Sequence, residues 1–295
     1  MDAVKKSLIS LHLTIVLLGG TALFSRVVPL SASDITLMRS VFACIALFIF
    51  LAISKQGLRL ANKRDYIIAI GLGVLMALHW VSYFAAMQYS SVSVGMIALF
   101  TFPVITVLIE PFFEKTRLVW QDIASTLTVI AGVYFIVPET SLDNDITLGV
   151  LIGIASAVTY AFRNLIHRKC FKQYSGAKAM AWQTLVIAFF LLPTGGEDIV
   201  SAPLSAWLLL LLLGTVFTAL PHALIAASLR HLRAKTFSLV ACMQPFYGVV
   251  LAVLLLDENP TWHTLVGGLL ITSASVYETL NTHKLHSNNQ DDKGD

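Results

Sequence analysis

Charged residues are scarce in this sequence of 295 residues. Only 13% of the residues are Asp, Glu, Lys or Arg, whereas a soluble globular domain carries roughly 25%. Hydrophobic residues reach 57% and the mean hydropathy is +0.78, so too few charges remain to cover a surface in water. The composition excludes a soluble globular protein and predicts an integral membrane protein.

Cysteines and recognisable catalytic or metal-binding motifs are equally sparse. The three cysteines, Cys44, Cys170 and Cys242, are an odd number spread over apolar segments and one basic loop, which implies no disulfide framework. The sequence contains no P-loop, no H-E-x-x-H motif and no Cys/His cluster with metal-ligand spacing. We therefore expect no catalytic residues, no metal site and no cofactor, and ATP-driven transport by this chain alone is excluded. No paired carboxylates lie mid-membrane, so a histidine is the candidate for any proton coupling; without coupling the chain is a uniporter or an exchanger.

The sequence contains an internal duplication. Residues 78–103 and 220–245 are diverged copies of each other, and each copy ends on a proline. The same offset of 142 positions aligns Trp120 with Trp262 without a gap. A constant offset of about half the chain is typical of two structural repeats.

Ten apolar runs are long enough to cross a bilayer, since a helix needs roughly 20 residues to span a hydrocarbon core of about 30 Å. The runs are continuously apolar and lack the alternation of barrel strands, which predicts helices. The first run is interpreted as a span rather than a signal peptide, because it is long, Arg26 interrupts its end and the duplication needs a helix there. The predicted spans are Leu8–Val28, Ile35–Ile53, Tyr66–Gln88, Val92–Phe113, Leu118–Val137, Leu148–His167, Ala177–Leu192, Leu204–Leu229, Thr236–Leu256 and Trp262–Leu280.

The loop charges predict how these helices are oriented. If the N-terminus is cytoplasmic, the inside segments hold 16 of the 20 basic residues and the outside loops hold none, as the positive-inside rule requires. Because the basic residues lie in short loops, the net charge of +3 does not indicate nucleic acid binding. The acidic residues of the predicted outside loops are Glu139, Asp143, Asp145, Glu197, Asp198, Asp257 and Glu258.

The predicted fold is therefore an all-α integral membrane protein with ten transmembrane helices, N-in/C-in. Two five-helix repeats span residues 1–138 and 147–281, and residues 282–295 form a disordered cytoplasmic tail. Five helices per repeat place the second repeat upside down relative to the first. Such inverted repeats are common in secondary transporters, whose substrate site lies near the midplane between the repeats.

Four features together resemble a known family. They are Arg39 early in the second helix, the segment H-W-V-S-Y-F-A-A-M-Q-Y-S-S-V-S-V that begins at His79, the prolines of helices four and nine, and the D-E-N-P-T-W opening of helix ten. Over nearly its whole length the sequence is similar to EamA-type transporters of the drug/metabolite transporter superfamily. The resemblance implies a ten-helix carrier of amino acids, nucleosides, other metabolites or drugs. The second repeat has Pro221 and His222 where the first has His79 and Trp80, so a strictly symmetric site is not expected.

Two histidines are candidates for substrate contact. His79 lies near the middle of the third predicted helix, where an ionisable side chain is costly and usually faces the bundle interior or a wet cavity. We interpret it as a substrate-binding or proton-carrying group; the alternative is an interhelical hydrogen bond to a backbone carbonyl. His222 lies at a similar depth in helix eight, after Pro221, which frees a carbonyl one turn earlier for a neighbour. For His222, a substrate contact and a structural role are both open.

Two prolines inside predicted helices mark further candidates. Pro103 and Pro245 each lie in the middle of an apolar run, where proline removes a hydrogen bond and kinks the helix, and we predict that they act as hinges. The alternative is that prolines are simply common in membrane helices. Gln244 must satisfy its donors and acceptors against another helix or a ligand, and we favour the ligand. Thr101 and Tyr247 lie close by in the sequence.

The arginines inside the spans have two interpretations each. Tyr160 and Arg163 share a face of helix six, and Arg163 either contacts substrate or snorkels to the inner interface. Arg26 and Arg39 lie about a turn inside the outer surface. They either attract an anionic group or, as we prefer, pair with Asp34 or cap helix ends.

These residues predict a secondary carrier working by alternating access. Aromatic walls with few polar anchors suit a small amphipathic solute such as an amino acid, nucleobase or nucleoside, with export as the expected direction. The alternatives are an intramembrane enzyme with a histidine base and a non-transporting membrane sensor. We expect a multi-pass protein of the cell inner membrane, a monomer or homodimer, whose partners are a small-molecule substrate and lipid, without nucleic acid. The predicted substrate-binding residues are His79, Trp80, Tyr83, Phe100, Thr101, Tyr160, Arg163, His222, Gln244 and Tyr247.

Overall fold

The computed structural model describes residues 3–113, 118–137, 141, 143–222, 224 and 240–291. Within these ranges every regular element is a helix. The α-helices are α1 Ala3–Gly20, α2 Phe24–Val27, α3 Ala32–Ile53, α4 Lys63–Tyr89, α5 Val92–Leu99, α6 Phe102–Phe113, α7 Trp120–Ile136, α8 Asp145–Cys170, α9 Gly176–Leu191, α10 Glu197–Ser201, α11 Leu204–Gly214, α12 Gln244–Leu256 and α13 Trp262–Asp291. Short 3₁₀ turns at Thr21–Leu23 and Leu192–Thr194 and a π-helical turn at Thr215–Ala219 complete the chain as described.

Seven helical segments of the described chain are long and apolar enough to cross a membrane. They are Leu8–Val27, Ala32–Ile53, Lys63–Tyr89, Val92–Phe113, Asp145–Cys170, Gly176–Thr194 and Leu204–His222. These seven fall on seven of the ten predicted spans, and the other three fall on α7, α12 and α13. Residues 236–239 of the ninth predicted span and 225–229 of the eighth lie outside the described residues. The chain is thus an all-helical membrane protein, and the count of ten spans stays a prediction.

The polar breaks between apolar runs begin the helices. The side chains of Ser31, Ser91, Asn144 and Ser175 accept hydrogen bonds from backbone N–H groups two or three residues on, at the starts of α3, α5, α8 and α9. A short polar side chain at this position satisfies an N–H group that has no partner within the helix. Serine and asparagine at these four positions therefore set where the helices start.

At one end of the molecule the loops 28–31, 89–91 and 257–261 lie together; we call this the acidic end, after Asp257 and Glu258. Gln88 Nε2 donates to the carbonyl of Leu30 at 2.9 Å, and the Arg26 guanidinium donates to the carbonyl of Ser90. None of the three loops carries a basic residue, which is why the sequence predicts all three to be outside.

The loops 54–62 and 171–175 meet at the opposite end, which we call the basic end. The Tyr174 hydroxyl donates to Asp65 at 2.5 Å and accepts from the N–H of Ala61 at 2.7 Å. The indole of Trp182 donates to the carbonyl of Leu58 at 3.0 Å. Arg168 forms an ion pair with Glu110.

Glu258 ties the acidic end to the start of α5. One carboxylate oxygen accepts from the N–H of Val92 at 2.7 Å, and the other accepts from the N–H of Ser93 at 3.1 Å and from its hydroxyl at 2.7 Å. A negative charge is stabilised there by the unpaired N–H groups of the helix N-terminus. Because Glu258 follows α12 and α5 belongs to the first half of the chain, one carboxylate links the two halves.

The Glu258→Gln variant is expected to lower the free energy of unfolding by about 1–2 kcal/mol, since a neutral amide offers one acceptor oxygen to three donors. The thermal midpoint of the purified protein in detergent measures this, together with faster hydrogen exchange of the α5 amides. Glu197→Gln is the matched control, because Glu197 is exposed in the first turn of α10 and caps nothing with its side chain. Equal midpoints for the two variants would contradict the assignment.

Glycines allow helices from the two halves to approach closely. A Cβ on Gly132 of α7 would lie 2.9 Å from the carbonyl oxygen of Gly267 of α13, and a Cβ on Gly267 would lie 2.6 Å from that of Gly132. A Cβ on Gly19 of α1 would lie 3.0 Å from the backbone nitrogen of Gly248 of α12. Small residues at such crossings are what membrane helices use in place of a hydrophobic driving force.

The sequence predicts that Pro103 and Pro245 each lie in the middle of a helix. In the structure, each lies instead at the start of one. The fourth predicted span is broken at Phe100 and Thr101, and Pro103 stands in the first turn of α6. Pro245 likewise stands in the first turn of α12. A first-turn N–H has no partner within the helix, so proline costs nothing there and breaks the preceding helix instead. The Ser275 hydroxyl of α13 donates to the carbonyl of Phe100 at 2.7 Å, which satisfies the exposed backbone within the membrane.

The final helix extends further than the predicted tenth span. Its backbone is helical from Trp262 to Asp291, through most of the segment predicted to be a disordered tail. Residues 292–295 lie outside the described residues, and a disordered tail stays a prediction for them.

Candidate functional site

His79 joins α4 to α8 across the two halves of the chain. Its Nδ1 lies 2.8 Å from Ser156 Oγ and 3.2 Å from the Ser156 carbonyl oxygen, while the Ser156 hydroxyl donates back to the carbonyl of His79 at 2.8 Å. Because the single hydroxyl proton goes to that carbonyl, Nδ1 carries the imidazole proton and Nε2 is left as an acceptor. His79 is 5% exposed, and Nε2 makes no hydrogen bond to a described residue. His79 therefore makes an interhelical bond, which was one of its two predicted roles. Its Nε2 stays available for the other predicted role, contact with a substrate.

Around His79 lies an aromatic cluster, formed by His79, Tyr83, Phe100, Phe102 and Tyr160. The Tyr160 ring stacks on the His79 ring, with 4.5 Å between the two centroids. The centroid of the Tyr83 ring lies 6.0 Å from that of His79. Phe102 meets Tyr160 edge-on at 4.9 Å and Phe100 at 5.6 Å. The break between α5 and α6 thus delivers two phenylalanines to the seam between α4 and α8.

The buried Arg39 stacks on the ring of Trp80, the residue after His79. The Arg39 guanidinium lies 3.8 Å from the centroid of the Trp80 ring, and its Nε donates to Thr218 Oγ1 at 2.8 Å. Arg39 is 3% exposed. The Asp34 carboxylate instead accepts from the Ser31 hydroxyl at 2.6 Å, so the predicted pairing of Arg39 with Asp34, and its role as a helix cap, are both wrong.

A π-helical turn brings His222 to the same place. Thr218, within Thr215–Ala219, accepts from Arg39 on its hydroxyl while its carbonyl accepts from His222 Nδ1 at 2.7 Å. Pro221 frees the carbonyl of Phe217 one turn earlier, and the Thr21 hydroxyl donates to it at 3.2 Å. Single π turns within α-helices occur frequently at functional sites.

Arg163 does not snorkel to the interface. Its Nε donates to Gln183 Oε1 at 2.9 Å and its Nη1 to Asn164 Oδ1 at 3.0 Å, and the side chain is half-buried. Gln183 of α9 is fully buried, so Arg163 is held among α8 and α9. Arg39 and Arg163 are thus two arginines held by neutral side chains.

Two predicted site residues bond to α1 rather than to this cluster. Gln244 Nε2 donates to the carbonyl of Leu18 at 3.4 Å, and the Tyr247 hydroxyl lies 3.0 Å from His12 Nδ1. This is the interhelical alternative for Gln244. Thr101 stands between Phe100 and Phe102 of the cluster, and its hydroxyl donates to the carbonyl of Ala98 at 2.9 Å.

The amino-acid sequence matches a family model in both of its halves. The model of the EamA-like transporter family matches residues 5–137 and 147–277. The chain belongs to the EamA-like transporter family.

Relatives of this EamA-like chain cover most of its length. The uncharacterized inner membrane transporter YicL of Salmonella typhimurium (strain LT2) is 23% identical over 296 residues, covering 96% of this chain and 98% of the relative. The biotin transporter of Escherichia coli (strain K12) is 25% identical over 252 residues, covering 82% of this chain and 81% of the relative. A solved crystal structure of a protein superposes with a TM-score of 0.65 at 16% identity, over 95% of this chain and 98% of that one.

Membership of the EamA-like family settles the broad class. The chain is a multi-pass cell-membrane transporter of the drug/metabolite transporter superfamily, and it moves a small molecule. The family and its relatives are transporters rather than enzymes, which sets aside the intramembrane enzyme.

The EamA-like site includes residues that sequence reasoning missed. Phe102, Ser156 and Thr218 carry no distinctive signal, because small hydroxyl and apolar residues are frequent in every span. Arg39 did carry a signal, since an arginine within a membrane helix is by default a functional candidate. It was assigned to a helix end because its partner, Thr218, lies 179 residues further along the chain.

Two surface grooves lie away from the cluster. One, of about 410 Å³, lies between α4 and α9 and is walled by apolar residues such as Ile70 and Phe189; the other, of about 350 Å³, lies between α7 and α13. Neither includes a residue of the aromatic cluster.

Proposed function

We propose that this EamA-like transporter is a secondary carrier that moves a small amphipathic metabolite, such as an amino acid, nucleobase or nucleoside, by alternating access, with export as its direction. The observation that carries the proposal is the aromatic cluster, where His79 of α4 bonds Ser156 of α8. Mostly apolar walls with a few placed polar groups are typical of small-molecule sites. The cluster lies on the seam between the two halves of the chain, where carriers of this design bind substrate.

Ten spans in two inverted repeats are part of the proposal. Under such symmetry, each contact between the halves has an exchanged counterpart. The contact of α6 with α8 is accompanied by that of α1 with α12, and α4 with α9 by α3 with α11. The two family-model matches, 5–137 and 147–277, support the same division. The gathering of predicted outside loops at the acidic end and predicted inside loops at the basic end supports N-in/C-in.

Alternating access follows from the burial of the cluster. His79, Tyr83 and Phe100 of the cluster are each at most 5% exposed, while Phe102 and Tyr160 are half-buried, so a substrate reaches the first three only when helices move. The break between α5 and α6 supplies a hinge at Pro103, and the start of α12 supplies one at Pro245. Such hinges let one half rock against the other around a fixed site.

Substrate flux through purified protein in liposomes tests the proposal. The panel holds amino acids, nucleosides, nucleobases and biotin, the last because a relative is named for it. Flux of the unmodified solute is measured by mass spectrometry in both directions, with and without a pH gradient, and compared with protein-free liposomes. The mass of the purified protein in detergent distinguishes a monomer from a homodimer. We expect one solute class to cross without ATP, with efflux exceeding uptake.

The opposite results are equally definite. Binding of a panel member without flux would identify a sensor and overturn the carrier. Equal flux in liposomes with and without the protein would also overturn the carrier. Uptake that exceeds efflux would reverse the proposed direction and leave the carrier mechanism in place.

A further inference from the structure

Arg39 is a buried cation whose donors are largely unused. A guanidinium group has five N–H donors, and in Arg39 only Nε–H donates to a described residue, Thr218. Nη1 is buried and has no hydrogen-bond partner. The side chain is 3% exposed, so bulk water does not replace the missing partners. An unpaired charge in such a place is strongly unfavourable unless something supplies its counter-charge.

The surroundings of Arg39 fix its orientation and leave its donors free. The Trp80 ring lies against the guanidinium face at 3.8 Å, and the Phe84 ring lies at 5.6 Å. Stacking uses the face of the planar group, whereas its hydrogen bonds point along the plane. With Nε held by Thr218, Nη1 has no partner and Nη2 makes no hydrogen bond to a described residue. A planar fork of this kind matches a carboxylate, which accepts two parallel bonds.

No carboxylate of the described residues forms an ion pair with Arg39. The ion pair found among the described residues, Arg168 with Glu110, lies at the basic end. Asp34, five residues earlier on α3, accepts from Ser31 instead. Arg163 is held by the neutral amides of Gln183 and Asn164. Arg39 lies seven residues into α3, roughly 10 Å from the start of the helix at 1.5 Å per residue, so it is not at the helix end.

We propose that Arg39 binds an anionic group of the transported solute, a carboxylate in the first instance, while the body of the solute lies against the aromatic cluster. Arg39 lies over Trp80 and Phe84, and the Phe84 ring is 5.6 Å from the ring of Tyr83 in the aromatic cluster, so the anion site and the cluster adjoin. The proposal rests on the carrier function above and narrows its substrate class: carboxylate-bearing metabolites such as amino acids are favoured over neutral nucleobases and nucleosides. Arg163 adds positive potential on the α8 side of the cluster.

Matched pairs of a carboxylate and its neutral amide test the proposal. We would measure binding to the purified protein in neutral detergent without added lipid, for phenylalanine and phenylalaninamide, nicotinate and nicotinamide, and biotin and biotinamide. At least one carboxylate is expected to bind at least tenfold more tightly than its amide. Arg39→Gln should remove that preference, and Arg39→Lys should recover it only in part because lysine keeps the charge but not the planar fork. Arg59→Gln, in the exposed loop 54–62, is the control that retains full binding.

A second variant decides the matter even if none of these pairs binds. Arg39→Met removes the charge and keeps much of the length, so the ligand-free protein should be at least as thermally stable as the wild type if the charge serves a ligand. A lower thermal midpoint would assign Arg39 a structural role and overturn the proposal. Amides that bind as tightly as carboxylates, or carboxylate binding that survives Arg39→Gln, would also overturn it.

Failure here is distinguishable from failure of the carrier function. Flux of a neutral solute that is unchanged in Arg39→Gln would overturn the anion site and leave the carrier standing. Binding of a carboxylate that depends on Arg39, without flux of that solute into liposomes, would support the anion site and refute the carrier.

Discussion

Substrate flux in liposomes is expected to fall about ten- to a hundredfold when His79 is replaced by alanine. The variant loses the bond to Ser156 across α4 and α8 and the stack on Tyr160. Interhelical hydrogen bonds in membranes contribute about 0.6–1.7 kcal/mol and aromatic pairs about 0.5–1.5 kcal/mol. Each 1.4 kcal/mol corresponds to about a tenfold change in an equilibrium. The measurement is initial flux of the identified solute, with the thermal midpoint recorded beside it.

His79→Phe separates packing from substrate contact. Phenylalanine keeps a ring between Tyr160 and Tyr83 but loses the Nδ1 bond to Ser156 and the Nε2 acceptor, so flux should fall as in His79→Ala while the thermal midpoint falls less than in His79→Ala. Normal flux in His79→Phe would reduce His79 to a packing residue. His263→Ala is the control histidine, since His263 is exposed beside Trp262 at the start of α13, and it should transport normally.

Gly214→Leu is expected to be the most destabilising single change in the region of the site. A Cβ at Gly214 would lie 2.5 Å from Phe42 Cβ, 2.8 Å from the carbonyl oxygen of Arg39 and 3.1 Å from the nitrogen of Ala43. Two of these atoms are backbone and cannot rotate away, so α11 must separate from α3. Overpacking of this kind costs about 1–3 kcal/mol or more, which is a fall of roughly 3–10 °C in the thermal midpoint.

Flux should fall together with stability in Gly214→Leu, because the separation occurs at the turn that carries Arg39 and beside the π turn that holds Thr218. Gly71→Leu is the matched control: it is also a glycine in a membrane helix, but a Cβ there would have no neighbour within 4 Å. We expect the Gly71 variant to keep the wild-type midpoint. Comparable losses in both variants would show that leucine is harmful in these helices for reasons other than the α3–α11 contact.

Much of the fold could be predicted from the sequence. The seven apolar helices of the described chain fall on predicted spans, and serines such as Ser31 and Ser91 begin helices where polar breaks interrupt the apolar runs. The absence of basic residues from the loops 89–91 and 257–261 placed them on the same side, and Glu258 of the second loop bonds Val92 and Ser93, directly after the first. The family was evident from the segment that begins at His79. All of these follow from local composition, because the membrane forces apolar helices and water forces charged loops.

The position of the prolines could be predicted only in part. Pro103 and Pro245 were identified as sites where a helix is disturbed, and both are. Whether proline kinks a helix or starts a new one depends on whether a neighbour satisfies the freed backbone. Ser275 does so at the break before Pro103, and it lies 175 residues from Phe100.

The composition of the site was decided by tertiary structure. His79, Tyr83, Phe100 and Tyr160 were predicted and do meet, since each lies in an apolar run at similar depth. Gln244 and Tyr247 were predicted with equal reason and instead contact α1.

The sequence by itself determined which segments lie in the membrane and which in water, where the helices start, and the transporter family. Only the tertiary structure decided that Arg39 stacks on Trp80, bonds Thr218 and keeps Nη1 unpaired. The physical reason is that hydropathy and capping act over a few residues, whereas the partner of a side chain depends on how each helix is rotated and how closely it approaches its neighbour. In this protein those quantities are set by contacts such as Gly214 against Arg39 and Gly132 against Gly267, which join residues more than a hundred positions apart.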